Sequence, residues 1–440
     1  MGKITINEAW RKLLEKYNIL HKIEVNGFYV IAAKDIKEFK EPRLMTKWDS
    51  SEVLPQVLKQ NNINMLPISR SAYIMGKFKL YEPLPALNES VVDMTRFKVP
   101  EYESLDINFI NSESNAINVL LLSRILDDFL EEEDNVETFN GRMGTGQFSF
   151  VVNGIDDKSY KVDVDRAQLE IDGGLENEHS VVIIEAKNVV YSDFHIRQLY
   201  YPFRLWSKKV NKPIRLVFSQ YTNQIFRLFE YTFEDENDYS SIKLVRVKNY
   251  TFQDIEITAE DLLNTFNNTK IQYDDYCHED VTGAVPFIQA DSFERLISLC
   301  ELLYDKPLSP DDIAEVMNFD RRQSDYYFNA GRYLGLCERE PSSEIKHGKQ
   351  YNLTSLGRSV FSLNYKERNL KLVELILQHK IFHILYKEAE ENGVIPDSAR
   401  VRALMEELHV CSASVSQRRA SSVIGWLKWI YSLPKITFSD

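Results

Sequence analysis

The feature that most constrains this chain is the run Val181-Val182-Ile183-Ile184 followed at once by Glu185-Ala186-Lys187. Consecutive β-branched residues predict a central strand buried on both faces, since a half-exposed strand alternates apolar with polar. The run then ends in an acid and a lysine. Charges in a buried strand are costly unless they are paired or bind something. With a side-chain period of two, Glu185 and Lys187 share one face and Ala186 takes the other. Upstream, Glu170 and Asp172 also share a face of a strand, which the Gly173-Gly174 pair is expected to end as a turn. Pairing the two strands would bring Asp172 beside Glu185 and Lys187.

That grouping suits metal-assisted hydrolysis of a phosphodiester. Two carboxylates offer hard oxygen ligands to Mg²⁺. The ion neutralises the phosphate and acidifies a bound water, while a lysine nearby orients that water or stabilises developing negative charge. Asp172, an interval of twelve residues, then Glu185-Ala186-Lys187 resembles the motif of PD-(D/E)XK nucleases, among them many restriction endonucleases and repair nucleases. The resemblance implies Asp172 and Glu185 as metal ligands, Lys187 as the catalytic lysine and Glu170 as an additional or supporting carboxylate. Ile171 stands where the family's name has proline.

The segment after this strand, DFHIRQLYYPFRLWSKKV (193–210), reads as an amphipathic helix that Pro202 would kink. Ile196, Leu199, Tyr200, Phe203, Trp206 and Val210 form an apolar stripe. Arg197, Tyr201, Arg204 and Lys208 form a basic stripe on the other side, suited to a phosphate backbone. Gln198 falls where the superfamily often places a polar active-site residue. Together with GRMGTGQFSF (141–150), these segments look like a group of prokaryotic type II restriction endonucleases, the nuclease resemblance covering about 110–235.

At 440 residues the chain exceeds what one core holds. The order of elements predicts a multi-domain α/β protein: an N-terminal α+β domain (1–105), then a restriction-endonuclease-like core with a mixed sheet flanked by helices (106–240). An acidic linker (241–285), a winged-helix domain (286–365) and a C-terminal helix-turn-helix-like region (366–440) complete it. In the winged-helix segment a helix from Arg321 to Leu336 would turn Arg322, Tyr326, Asn329 and Arg332 outward for DNA recognition. Lys346, His347 and Lys349 would lie on the hairpin behind it. Arg418, Arg419 and Lys428 fall on the last helix. Lys- and Arg-rich stretches from Lys34 to Lys47 and from Arg70 to Lys79 point to a share in recognition for the N-terminal domain.

A net charge of −13 argues against DNA binding by overall attraction but says little about local patches. No apolar run reaches membrane-spanning length and no secretory leader is read. The four scattered cysteines fit a reducing cytoplasm. The glycines at 141, 144 and 146 lack the Lys-Ser/Thr of a P-loop. His379 and His383 lack the glutamate of a zinc HExxH motif, and Cys277-His278-Glu279-Asp280 lacks partner spacing.

The sequence therefore points to a Mg²⁺-dependent type II endonuclease acting on double-stranded DNA. A homodimer on the duplex and a cognate DNA methyltransferase would be its expected partners. A structure-specific repair or recombination nuclease, and a winged-helix regulator without catalysis, are the alternatives.

Overall fold

A computed structural model of the chain describes residues 4–85, 92–98, 102–103, 110–253, 255–275, 285–317, 321–341, 349–411 and 413–438. The protein is α/β and multi-domain. Its spine is an eight-stranded mixed sheet in the order Ile436–Phe438, Val92–Arg96, Ile242–Thr251, Ile225–Phe233, Ile214–Thr222, Val181–Lys187, Gln168–Glu176, Val136–Gly144. Val181–Lys187 is buried at every position, as its β-branched run demands. It pairs parallel to Ile214–Thr222 and antiparallel to Gln168–Glu176.

Both faces of this strand are covered. Val182, Ile184 and Ala186 pack with Ile117, Leu120 and Phe129, from the helices Glu113–Leu122 and Ile125–Leu130. Ile183 joins the opposite core, with Leu199 and Tyr200 of the helix Arg197–Trp206.

Gly173 and Gly174 do not end their strand. They lie inside Gln168–Glu176, opposite Ile184 and Ile183. A Cβ on Gly174 would sit 2.2 Å from the Phe139 ring, and one on Gly173 would sit 3.1 Å from Ile117. Close packing, not a turn, requires glycine there. The stretch 159–176 forms two strands in different sheets. Ser159–Asp165 pairs with Gln147–Asn153 in a separate hairpin, and Arg166, at φ 53°, redirects the chain into the large sheet.

The domain limits also differ from the sequence reading. Ile242–Thr251, placed in a linker, is a full strand of the central sheet. Val92–Arg96 joins that sheet and Tyr81–Pro83 pairs with Asp193–His195, so both segments leave the N-terminal domain. The C-terminal strand Ile436–Phe438 returns to the same sheet. Strand pairing is decided by distant partners, which composition along the chain does not show.

The N-terminal domain keeps its own core around Trp10, Leu13, Trp48 and Met75, with a three-stranded sheet of Phe28–Ala32, Ala72–Gly76 and Asn64–Pro67. The C-terminal part is helical. Phe293–Asp305, Pro310–Val316 and Arg321–Tyr333 precede the hairpin Cys337–Pro341/Lys349–Leu353, and Ser398–Glu407 precedes the long helix Ala413–Ser432. Among the described residues no helix is long and apolar enough to cross a membrane.

Candidate active site

The ladder between Gln168–Glu176 and Val181–Lys187 reaches its last pair at Gly173 and Ile184. The ladder to Ile214–Thr222 continues as far as Lys187 and Gln220. The first two strands therefore diverge where the charged residues begin. The amide of Ala186, left without a strand partner on that side, donates instead to Asp172 Oδ2 at 3.0 Å.

Into this wedge project Glu185 and Lys187, 6% and 8% exposed. Lys187 Nζ lies 2.7 Å from Glu185 Oε1, 3.0 Å from Glu113 Oε1 and 3.7 Å from Asp172 Oδ2. Gln198, in the first turn of Arg197–Trp206, donates its side-chain amide to Glu185 Oε1. The structure thus brings together Asp172, Glu185, Lys187 and Gln198 as the sequence pattern anticipated.

It also adds Glu113. This residue opens the helix Glu113–Leu122 behind the Ser112 cap, a helix on the opposite face of the sheet. An acid in a first turn normally reads as complementing the helix dipole. The local sequence therefore carried no sign that Glu113 would reach this cluster.

Three carboxylates face one ammonium. Burial pushes the Glu185 carboxyl well up, and Asp172 reinforces the shift while Lys187 opposes it. Burial likewise raises Glu113, against the pull of Lys187 and, more weakly, Lys47. Burial alone would depress Lys187, but Glu185, Glu113 and Asp172 more than reverse this and hold it protonated. A cluster with more carboxylates than cations offers hard oxygen donors that fit a divalent cation, and Mg²⁺ takes such ligands. Among the described residues no group of three or more acids, histidines or cysteines is already set to hold a metal ion. Lys187 is the cation that the carboxylates share, and it would have to yield one of them to an incoming ion.

Other candidates lie elsewhere. Glu170 faces solvent and pairs with Arg142 at 3.1 Å, outside the cluster. The basic stripe does not form a surface. Tyr201 is fully buried and donates to Pro67 O at 2.9 Å. Arg204 is 4% exposed and bonds Ser149 O, Tyr200 Oη and Asn237 Oδ1. The hairpin Gln147–Asn153/Ser159–Asp165 packs on the side that helical periodicity assigned to water: Phe148 lies under the Arg204 guanidinium and edge-on to Tyr201. Lys208 is exposed and donates to Gln147 O, and Arg197 is half-buried.

On the helix Arg321–Tyr333, Arg322 is exposed, while Tyr326, Asn329 and Arg332 are half-buried. Arg418 stacks over Tyr326 at 5.6 Å and bonds Gln289, and Arg419 donates to Phe287 O at 3.0 Å. Two surfaces assigned separately to DNA thus meet each other. Lys349 begins the strand Lys349–Leu353. Lys346, His347 and the 277–280 segment fall outside the described residues.

The chain matches three family models, each described only as a domain of unknown function: DUF6996 over residues 7–75, DUF6997 over 76–251 and DUF7226 over 295–435. No curated protein and no solved structure matches it. The second match begins at the end of the N-terminal sheet, closes on the last residue of the strand Ile242–Thr251, and contains Glu113, Asp172, Glu185, Lys187 and Gln198.

Proposed function

We propose that this protein is a Mg²⁺-dependent endonuclease that hydrolyses phosphodiester bonds of double-stranded DNA, of the restriction type and of PD-(D/E)XK-like construction. One observation carries the reading: Asp172 and Glu185, on neighbouring strands, converge with Glu113 on the single ammonium of Lys187.

Asp172 and Glu185 would hold the ion, with Glu113 as a third oxygen donor. The bound ion would neutralise the scissile phosphate and acidify an attacking water. Gln198 fixes the rotamer of Glu185 through its amide. Lys187, positioned by the same carboxylates, donates hydrogen bonds toward a non-bridging phosphate oxygen or the attacking water. The buried strand keeps these groups rigid, which favours charge stabilisation without reorganisation.

Support for a DNA-reading module comes from the order of helices followed by a hairpin over 293–353, which resembles a winged helix. Arg322 is an exposed cation on the candidate recognition helix, beside Arg321, which pairs with Asp311 and Asp325. The test is digestion of plasmid DNA with Mg²⁺ beside EDTA, using the whole chain and Lys187→Ala. Discrete metal-dependent fragments from the native chain, lost in the variant, are expected. Full cutting by Lys187→Ala would refute the catalytic assignment. Preference for branched substrates would move the reading to a structure-specific nuclease.

A further inference from the structure

Segment 47–52 of the N-terminal domain is hydrogen-bonded to the stretch that leads from Lys187 to the helix carrying Gln198. The Tyr81 hydroxyl donates to Trp48 O at 3.2 Å, and His195 N donates to Asp49 O at 2.9 Å. Asp193 is held by Ser50 Oγ at 2.7 Å, by Ser51 N at 2.8 Å and by the Ser51 hydroxyl. Glu52 accepts from Ser192 Oγ at 2.7 Å and pairs with Arg295. The strand Asp193–His195 links Lys187 to the helix that carries Gln198. The segment is therefore pinned to the connection between two site residues.

Lys47 stands at the start of this segment. Its side chain is 57% exposed, and Asp49 Oδ2 lies 3.8 Å from its ammonium. It acts electrostatically on Glu113, and Asp49 acts on Lys187. Behind it the chain carries Lys34, Lys37, Lys40 and Arg43, the basic stretch that the reading of the core left unused. Lys47 is thus an exposed cation within electrostatic reach of the carboxylate cluster, in a stretch where Lys34, Lys37, Lys40 and Arg43 outnumber Asp35, Glu38 and Glu41. Such a cation can hold one phosphate of a polyanion whose neighbouring phosphate enters the cluster.

We propose that Lys47 binds a DNA phosphate beside the scissile one, so that the active site is completed by a residue of the N-terminal domain. This rests on the nuclease reading. The two matched segments 7–75 and 76–251 would then form one catalytic unit.

The experiment measures cleavage of a labelled duplex by the full chain with Mg²⁺ at several salt concentrations, comparing native protein with Lys47→Ala and Lys47→Arg. Lys47→Ala is expected to raise KM about tenfold and to reduce the salt dependence of binding by about one unit of log–log slope, with kcat changed much less. Lys47→Arg should restore most of both. Thermal melting of each variant should match the native chain, because the side chain is exposed. An active native protein with unchanged KM and salt slope in Lys47→Ala would overturn the proposal and leave the nuclease reading standing. A native chain that cuts no DNA with Mg²⁺ would overturn both.

Discussion

Two buried charge clusters in the same sheet differ in their balance. Around Glu230, 6% exposed, Arg215 makes a two-pronged contact at 2.6 and 2.8 Å, and Arg246 adds a third at 2.9 Å while also pairing with Glu131. The carboxylate there is saturated. Around Lys187 the proportion is reversed, with three carboxylates for one ammonium. A buried carboxylate with ample guanidinium donors locks strands together. A pocket with surplus carboxylates is poised to take another cation, at some expense to the fold until it does. The difference separates a structural ion cluster from a candidate catalytic one on physical grounds.

The sharpest way to break this comparison is to remove the central acid of each cluster. Glu230→Gln should cost about 3–5 kcal/mol in urea unfolding, because it strands two partly buried guanidinium groups. Glu185→Gln, measured in EDTA, should leave stability unchanged or raise it by relieving repulsion. Equal losses from both substitutions would erase the distinction. In plasmid cleavage the order inverts: Asp172→Asn, Glu185→Gln and Lys187→Ala should each fall by at least about 10²–10³-fold, while Glu230→Gln should cut normally at temperatures where it remains folded.

Metal addition sharpens the contrast further. At a concentration one hundred times its dissociation constant, Mg²⁺ should stabilise the native chain by about 2.7 kcal/mol. The same addition should do nothing for Asp172→Asn. An equal gain in that variant would place the ion elsewhere.

The smallest effect concerns a control outside both clusters. Burial pushes His195 well below its ordinary value, helped by Arg197 and opposed by a hydrogen bond from the ring to the Met65 backbone. The unfolded chain takes up this proton near pH 6.5 and the folded chain does not. Stability is therefore complete above that pH and falls below it, by at most about 1.4 kcal/mol per pH unit. Unfolding curves between pH 5 and 7 should show this slope, and His195→Gln should flatten it.

What the sequence by itself determined was local. The run at 181–184 could only be a doubly buried strand, and period-two geometry then committed Glu185 and Lys187 to one face. That the two strands pair and bring Asp172 near was anticipated, but not the register, which runs through Gly173 and Gly174. Tertiary structure decided everything that depended on a second neighbour. Helical periodicity shows that Arg204 and Leu199 point in different directions, but not that a hairpin covers Arg204 as well. Gly173 and Gly174 look like a turn until Phe139 and Ile117 are seen filling the space of their side chains. Glu113 reaches the cluster, and the 47–52 segment the connection beside it, from distant parts of the chain. Their placement comes from packing between elements, and no spacing along the chain encodes it.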